Sequence, residues 1–340
     1  MSQSVIARPQ TLTNADDRRH LLAPSPLARE SLIFLLFLPE ENLGCIAYTW
    51  VNGEGNAGSM ALVFGAENDQ LFKTYVEGVA MPDRADFDDW QVGALHVAHG
   101  KPHEHARVRF DEVDGEGRRF ALDYVFEAMT PAFTYHDNAD GCPAVLADNR
   151  LEQSGRVSGT ITIAGREIAF ETTGHRDHSW GSRDWTAFHH YKWVNVQTPE
   201  GAAINFMHGF IVDSLYQLGY VDKDGLQSPI RSIETDIARD AEHYSYTSAR
   251  FTLVDEEGRV TVIEGGPRTS LAVWPAGGLE SHDAAGPCTA DGVPGLMHIE
   301  EGWDPQFVAR RKGIMALQAG SDADAAREVL AVNRGVGQAH

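Results

Sequence analysis

The chain has 340 residues, 42% of them hydrophobic, and a formal net charge of −21. That length and apolar content predict two domains, or one large one, with real cores. The charge repels phosphate backbones and anionic headgroups, which argues against nucleic acid as a partner.

Residues 1–25 are polar and aperiodic, with Pro9 and Pro24, and read as an N-terminal arm or loosely docked extension. The apolar run Leu32–Leu38 is far shorter than the roughly 20 residues of a membrane span. Pro39-Glu40-Glu41 closes it, so it reads as a fully buried strand and no transmembrane segment is expected. Cys45, Cys142 and Cys288 are sparse and far apart, without a CxxC pair. This argues against a disulfide scaffold or a thiolate zinc site and suggests a cytoplasmic protein.

From residue 31 the pattern is strand after strand. Ala47–Val51 meets the turn signal Asn52-Gly53, and Ser59–Phe64 follows. Arg107–Phe110, Phe120–Phe126, Val157–Ile163 and Glu167–Glu171 continue the pattern between short Gly and Asp turns. Such spacing predicts an all-β sandwich or barrel architecture. Arg109-Phe110, Val113-Asp114 and Glu116-Gly117-Arg118 recur at a constant offset of 141 as Arg250-Phe251, Val254-Asp255 and Glu257-Gly258-Arg259. The repetition fits either an internal duplication or two hairpins with convergent turn chemistry. The expected division is an arm over 1–25, a first β domain over 26–150 and a second over 151–310. The boundary falls near 138–155, and a helical tail occupies 311–340. In that tail Asp322–Val332 is rich in helix formers, with Ser321 as N-cap.

Chemistry concentrates between Gly174 and His208, which hold five of the fifteen histidines and three of the seven tryptophans. In an extended strand Arg176, His178 and Trp180 share one face; His175, Asp177 and Ser179 share the other. Asp184 is therefore better placed than Asp177 to orient His178. The paired dipeptides Arg176-Asp177 and Arg183-Asp184 also fit a purely structural crossed ion-pair network. Downstream, Tyr191, Trp193, Asn195 and Gln197 form an amide-and-aromatic face, expected to point into a barrel as a pocket wall. Asn205 and His208 follow on the next strand. His175, His178, His189, His190 and His208 leave a metal reading open, but no recognised ligand spacing is present. Phosphate-binding glycine motifs and a GxSxG elbow are missing too.

The string Arg176–Gly181, flanked by two β-rich halves, resembles the lipocalin-like double-domain superfamily of carotenoid 1,2-hydratases (hydroxyneurosporene synthases) and AttH-like proteins. The resemblance is strongest over residues 150–310. It implies two consecutive lipocalin-like domains, here followed by the short C-terminal helix read from composition, and chemistry on isoprenoid or polyketide molecules without redox cofactors. The hydratases' His-x-Trp pair matches His178 and Trp180. Near Asn205–His208 the acid expected from that family is missing, which argues against carotenoid hydration itself.

The resulting expectation is a cofactor-independent hydratase, dehydratase or isomerase, with no metal, acting on an apolar isoprenoid- or steroid-like molecule. His178 moves the proton, Asp184 or Asp177 sets its tautomer, and Arg176 holds developing negative charge. Trp180, Trp185, Tyr191, Trp193, Asn195, Asn205 and His208 contact the substrate. The alternative is a carrier that holds a hydrophobic ligand unchanged.

Overall fold

The structure is a computed structural model, and it describes residues 12–319. It is all-β, with two barrel-like sheets and one short helix. The first sheet holds β1 (Ala28–Leu38), β2 (Leu43–Asn52), β3 (Asn56–Phe64), β4 (Gln70–Ala80) and β5 (Trp90–Val92). It continues through β6 (Leu95–His99), β7 (His105–Val113), β8 (Arg119–Ala128), β9 (Phe133–Thr134), β10 (Asn149–Ile163) and β11 (Arg166–Ser182). Its strand order is β4-β3-β2-β1-β11-β10-β8-β7-β6-β5, with β9 beside β10. The sheet curls back on itself: Ser59 Oγ on β3 donates to Val92 O at 2.8 Å, and Trp90 Nε1 to Thr49 Oγ1 at 2.9 Å.

The second sheet holds β12 (Phe188–Gln197), β13 (Ala203–Ile211), β14 (Ser214–Lys223), β15 (Leu226–Arg239) and β16 (Tyr246–Asp255). β17 (Val260–Gly265), β18 (Ser270–Ala276), β19 (Leu279–Ala290) and β20 (Val293–Trp303) complete it. Its order is β17-β16-β15-β14-β13-β12-β20-β19-β18, and an extra pairing of β17 with β19 closes the ring. The helix α1 (Pro305–Ala319) follows directly, its first amides capped by Asp304. It precedes the helix expected over Asp322–Val332, which lies outside the described residues with Ser321.

The sheets change hands between Ser182 and Phe188, so the division expected near 138–155 falls inside the first sheet. The Asn138–Pro143 break is a loop between β9 and β10, not a domain linker. Each barrel instead ends on a strand that pairs with its own first strand, β11 with β1 and β20 with β12. The repeated hairpins occupy the same station. In sheet order β7, β8, β10, β11, β1 corresponds to β16, β17, β19, β20, β12. At both turns the Asp carboxylate takes the Arg backbone N–H and Nε, at Asp114–Arg118 and Asp255–Arg259.

Three apolar clusters explain the run Leu32–Leu38. Leu32, Phe34, Leu36 and Leu38 fill the first barrel, and Val194, Val196 and Phe206 help fill the second. Ile33, Leu35 and Phe37 face a third cluster, the seam between the barrels, where they join Trp193, Met207 and Tyr220. A strand buried on both faces gives an unbroken apolar run instead of alternation.

The described part of the N-terminal segment is docked through Asp17 and His20, where its composition suggests a loose extension. Asp17, 2% exposed, accepts from Arg176 Nη1 at 2.8 Å and from the His103 amide at 2.7 Å. Burial alone would raise the Asp17 carboxyl, but Arg176 and His99 hold it well below the usual carboxylate range. His20 stacks on Trp180 with centroids 3.9 Å apart, and its backbone N–H donates to Glu30. The segment is polar because its polar atoms partner buried charges. Removing one member of a buried ion pair costs about 3–5 kcal/mol. Arg176→Met is expected to lose about that much in denaturant unfolding, and Asp17→Asn with Arg176→Met less than the single change. A single change costing under about 1 kcal/mol contradicts the docking.

Candidate active site

β11 lies between β1 and β10, with His178 opposite Leu32 and Leu151, and Asp177 opposite Ile33 and Glu152. Strand alternation sends Arg176 and His178 into the first barrel and His175, Asp177 and Ser179 into the seam. Gly181 lets the strand end where it does. Its φ is +114°, and an added Cβ would lie 2.4 Å from the Asp148 backbone nitrogen.

On the seam side, Arg150 Nε donates to Glu152 Oε1 at 2.5 Å and its Nη2 to Asp177 Oδ2 at 2.6 Å. His175 Nε2 bonds Glu152 Oε2 at 2.8 Å, and Trp193 Nε1 donates to Glu152 Oε1 at 3.1 Å. The second barrel answers with the same pattern. His298 Nε2 lies 3.2 Å from Asp283 Oδ1, and Trp274 Nε1 donates to Asp283 Oδ2 at 2.6 Å. Glu152 sits opposite Asp177 across β10 and β11, as Asp283 sits opposite Glu300 across β19 and β20. Each closing strand thus carries His-x-acid, His175-x-Asp177 and His298-x-Glu300. Each histidine pairs with the carboxylate facing the second acid.

Between these strands is a cavity of about 340 Å³. Its apolar wall includes Ile33, Ile46, Met60, Phe188, Trp193 and Met207, and the exposed Tyr75 lies on its rim. Arg150, Asp177, Tyr191 and Glu300 supply polar wall. At the rim Trp185 packs on Gly277, where a Cβ would lie 2.5 Å from the indole.

The two cavity acids are raised above the usual carboxylate range by their surroundings. Burial, with Glu152 adding and Arg150 opposing, pushes Asp177 up to about 7. Burial and the nearby Asp283 push Glu300 up to about 8, against the Tyr191 hydroxyl that donates to it at 2.5 Å. Glu152 behaves in the opposite way. Burial would raise it, but Arg150 and His175 overcome that and keep it below the usual range.

The structure brings only part of the expected set together. Asp177, Trp185, Tyr191 and Trp193 line the cavity. His178 does not: it is fully buried in the first barrel, with Nε2 2.7 Å from Glu30 Oε1 and its ring edge against Phe87. Arg176 shares that face and binds Asp17 and Gln153. Asp184 caps a short 3-10 turn through the Thr186 amide and hydroxyl, and orients no histidine. The crossed Arg/Asp network therefore does not form. Trp180 stacks on His20, away from the cavity. Asn195 and Asn205 bond each other at 2.9 Å deeper in the seam, where Asn205 also takes the Tyr135 hydroxyl. The amide-and-aromatic face of β12 lies between the barrels rather than inside one. His208 is half-buried on β13, with Lys192 as its cross-strand neighbour.

The five histidines of the metal reading are dispersed, since His175 and His178 face opposite ways and His190 stacks on Trp303. A different trio, His20, Glu30 and His178, places three ligand atoms within 4.8 Å of one another. Glu30 already bonds both imidazoles, at 2.8 and 2.7 Å, and together they anchor the N-terminal segment. Sequence reasoning missed Arg150, Glu152, Asp283, His298 and Glu300. The one available signal was the repeated His-x-acid pattern.

These features define a double lipocalin-like fold whose candidate site lies in the seam between its barrels. The chain belongs to the DUF7064 family, a domain of unknown function, matched over residues 13–305. A search of curated proteins returns no significant match. Among solved structures, an AttH-like protein from Nitrosomonas europaea is similar at 14% identity and a TM-score of 0.55. That match covers 81% of this chain and 92% of the other. CghA, in a structure with Sch210972, is similar at 10% identity and a TM-score of 0.50, covering 82% of this chain and 89% of CghA. At these identities the likeness shows the fold.

A carboxyl raised in the folded state keeps a proton that the unfolded chain releases, so its contribution to stability declines as pH rises between the two values. For Glu300 that window runs from 4.5 to about 8. Glu300→Gln has no such loss. Its stability relative to the wild type is expected to rise steadily from pH 5 to 8 in denaturant titrations, and a flat difference contradicts the assignment.

Proposed function

We propose that the seam cavity binds a mostly apolar small molecule and moves a proton on it without a cofactor, in a hydration, dehydration or isomerisation. The observation that carries this reading is the pair of carboxyl groups, Asp177 and Glu300, both raised toward neutrality on the wall of one largely apolar cavity. An acid and a base work best when their pKa values lie near the working pH. Protonated Glu300 donates. The Tyr191 hydroxyl fixes one of its oxygens, and among the described residues no donor reaches the other. Asp177 accepts, and Arg150 steadies the carboxylate that receives the proton. His178 holds the N-terminal segment and not the substrate. The volume favours a compact isoprenoid- or steroid-like body over a long polyene. CghA with Sch210972 is a precedent for a small molecule in this fold.

Exchange of the α-protons of 2-tetralone in D₂O, followed by NMR, tests the reading with a generic apolar carbon acid. The wild-type protein is expected to accelerate exchange, with a rate that rises through about pH 7 and falls above about pH 8. Asp177→Asn and Glu300→Gln should each slow it by about 10²–10⁴-fold, with quenching of tryptophan fluorescence by the ketone preserved. Exchange undiminished in both variants overturns the assignment. Tight binding with no exchange in the wild type makes the protein a carrier.

A further inference from the structure

Resting on the cavity reading above, we infer that the wall of the cavity formed by Arg29, Arg183 and Tyr48 is an anion site. Its ligand is then an apolar molecule bearing one anionic oxygen group, such as a carboxylate.

The argument starts from charge pairing. The chain has 49 acidic residues and 28 lysines and arginines, so a cation without an acid beside it is unusual here. Other withdrawn arginines are matched: Arg150 with Glu152 and Asp177, Arg176 with Asp17, Arg239 with Glu301. Arg29 and Arg183 are half-buried and both line the cavity, and among the described residues neither has a carboxylate within ion-pair distance. Arg29 lies over two aromatic rings, 4.6 Å from Trp50 and 5.4 Å from Tyr48, and its Nε is buried without a partner. Arg183 spends Nε on the Leu146 carbonyl at 3.2 Å and one terminal nitrogen on Ser179 Oγ, and lies 5.4 Å from the Trp185 ring.

Taking a guanidinium out of water is costly unless an anion or good acceptors replace the lost solvation. Ring faces recover part of that cost. A ligand anion supplies the rest, and two planar donor forks suit a carboxylate. Both cations also act on the Tyr48 hydroxyl: burial raises it, yet Arg29 and Arg183 hold it below the usual phenol value. Arg29 is level with Gly181, Arg183 reaches Ser179, and Tyr48 is level with Ile33 and Asp177, so this basic wall runs alongside the acid on β11. A ligand whose anion sits on this wall lies within reach of Asp177.

Calorimetric titration with octanoate and with 1-octanol separates this inference from the reading beneath it. Octanoate is expected to bind at least about tenfold more tightly than octanol, and Arg29→Met and Arg183→Met should each remove that preference while keeping octanol affinity. Arg29→Lys, which retains the charge, should keep part of it. If octanol binds and octanoate binds no better, the anion site is overturned and the cavity stands. If neither binds to the wild type, the cavity reading itself fails, and this inference with it.

Discussion

A charge withdrawn from water costs free energy unless a partner replaces the lost solvation. Here four carboxyl groups, Glu152, Asp177, Asp283 and Glu300, gather around one fully paired guanidinium, Arg150. Arg150 and His175 keep Glu152 ionised, and Asp283 takes hydrogen bonds from Trp274, Ser281 and His298. For Asp177 and Glu300 burial outweighs the nearby cations, and both carboxyls are raised. Their raised pKa values follow from this arithmetic of burial rather than from any single contact. The proposed chemistry depends on that imbalance.

The imbalance has a structural origin in the way two similar barrels meet. Each closes by pairing its last strand with its first, and each closing strand places His-x-acid on the seam. The hairpins at Asp114 and Asp255 stand at matching stations in the two strand orders, which supports duplication over convergence. Bringing two copies of a His-x-acid strand face to face doubles the acids in one enclosed space. The copies differ where it matters, because Arg150 has no counterpart on β19: Ser281 stands at that station.

Much of this was legible in the sequence. The turn chemistry at Asn52-Gly53, Asp114-Gly117 and Asp255-Gly258 identifies an all-β chain, and the resemblance carried by Arg176–Gly181 points to the double-barrel fold. Alternation correctly separated Arg176 and His178 from His175 and Asp177. What alternation cannot say is which face meets the ligand. The His-x-Trp pair drew attention to the even face, yet that face binds Asp17, Glu30 and the N-terminal segment. The odd face, with Asp177, meets the cavity. Glu300 lay beyond reach because its partners Tyr191 and Asp283 are distant in sequence and converge only when the second barrel closes. The polar arm was misread for a related reason. Composition reports that Asp17 and His20 are polar, but not that buried cations and carboxylates wait for them.

The most direct measurement is a ¹³C-carboxyl NMR titration of the free protein, with Asp177 and Glu300 assigned through their Asn and Gln variants. The account predicts two resonances whose apparent midpoints lie near 7 and near 8, set apart from the bulk of the carboxylates. Midpoints for both groups in the ordinary range around 4 would contradict it.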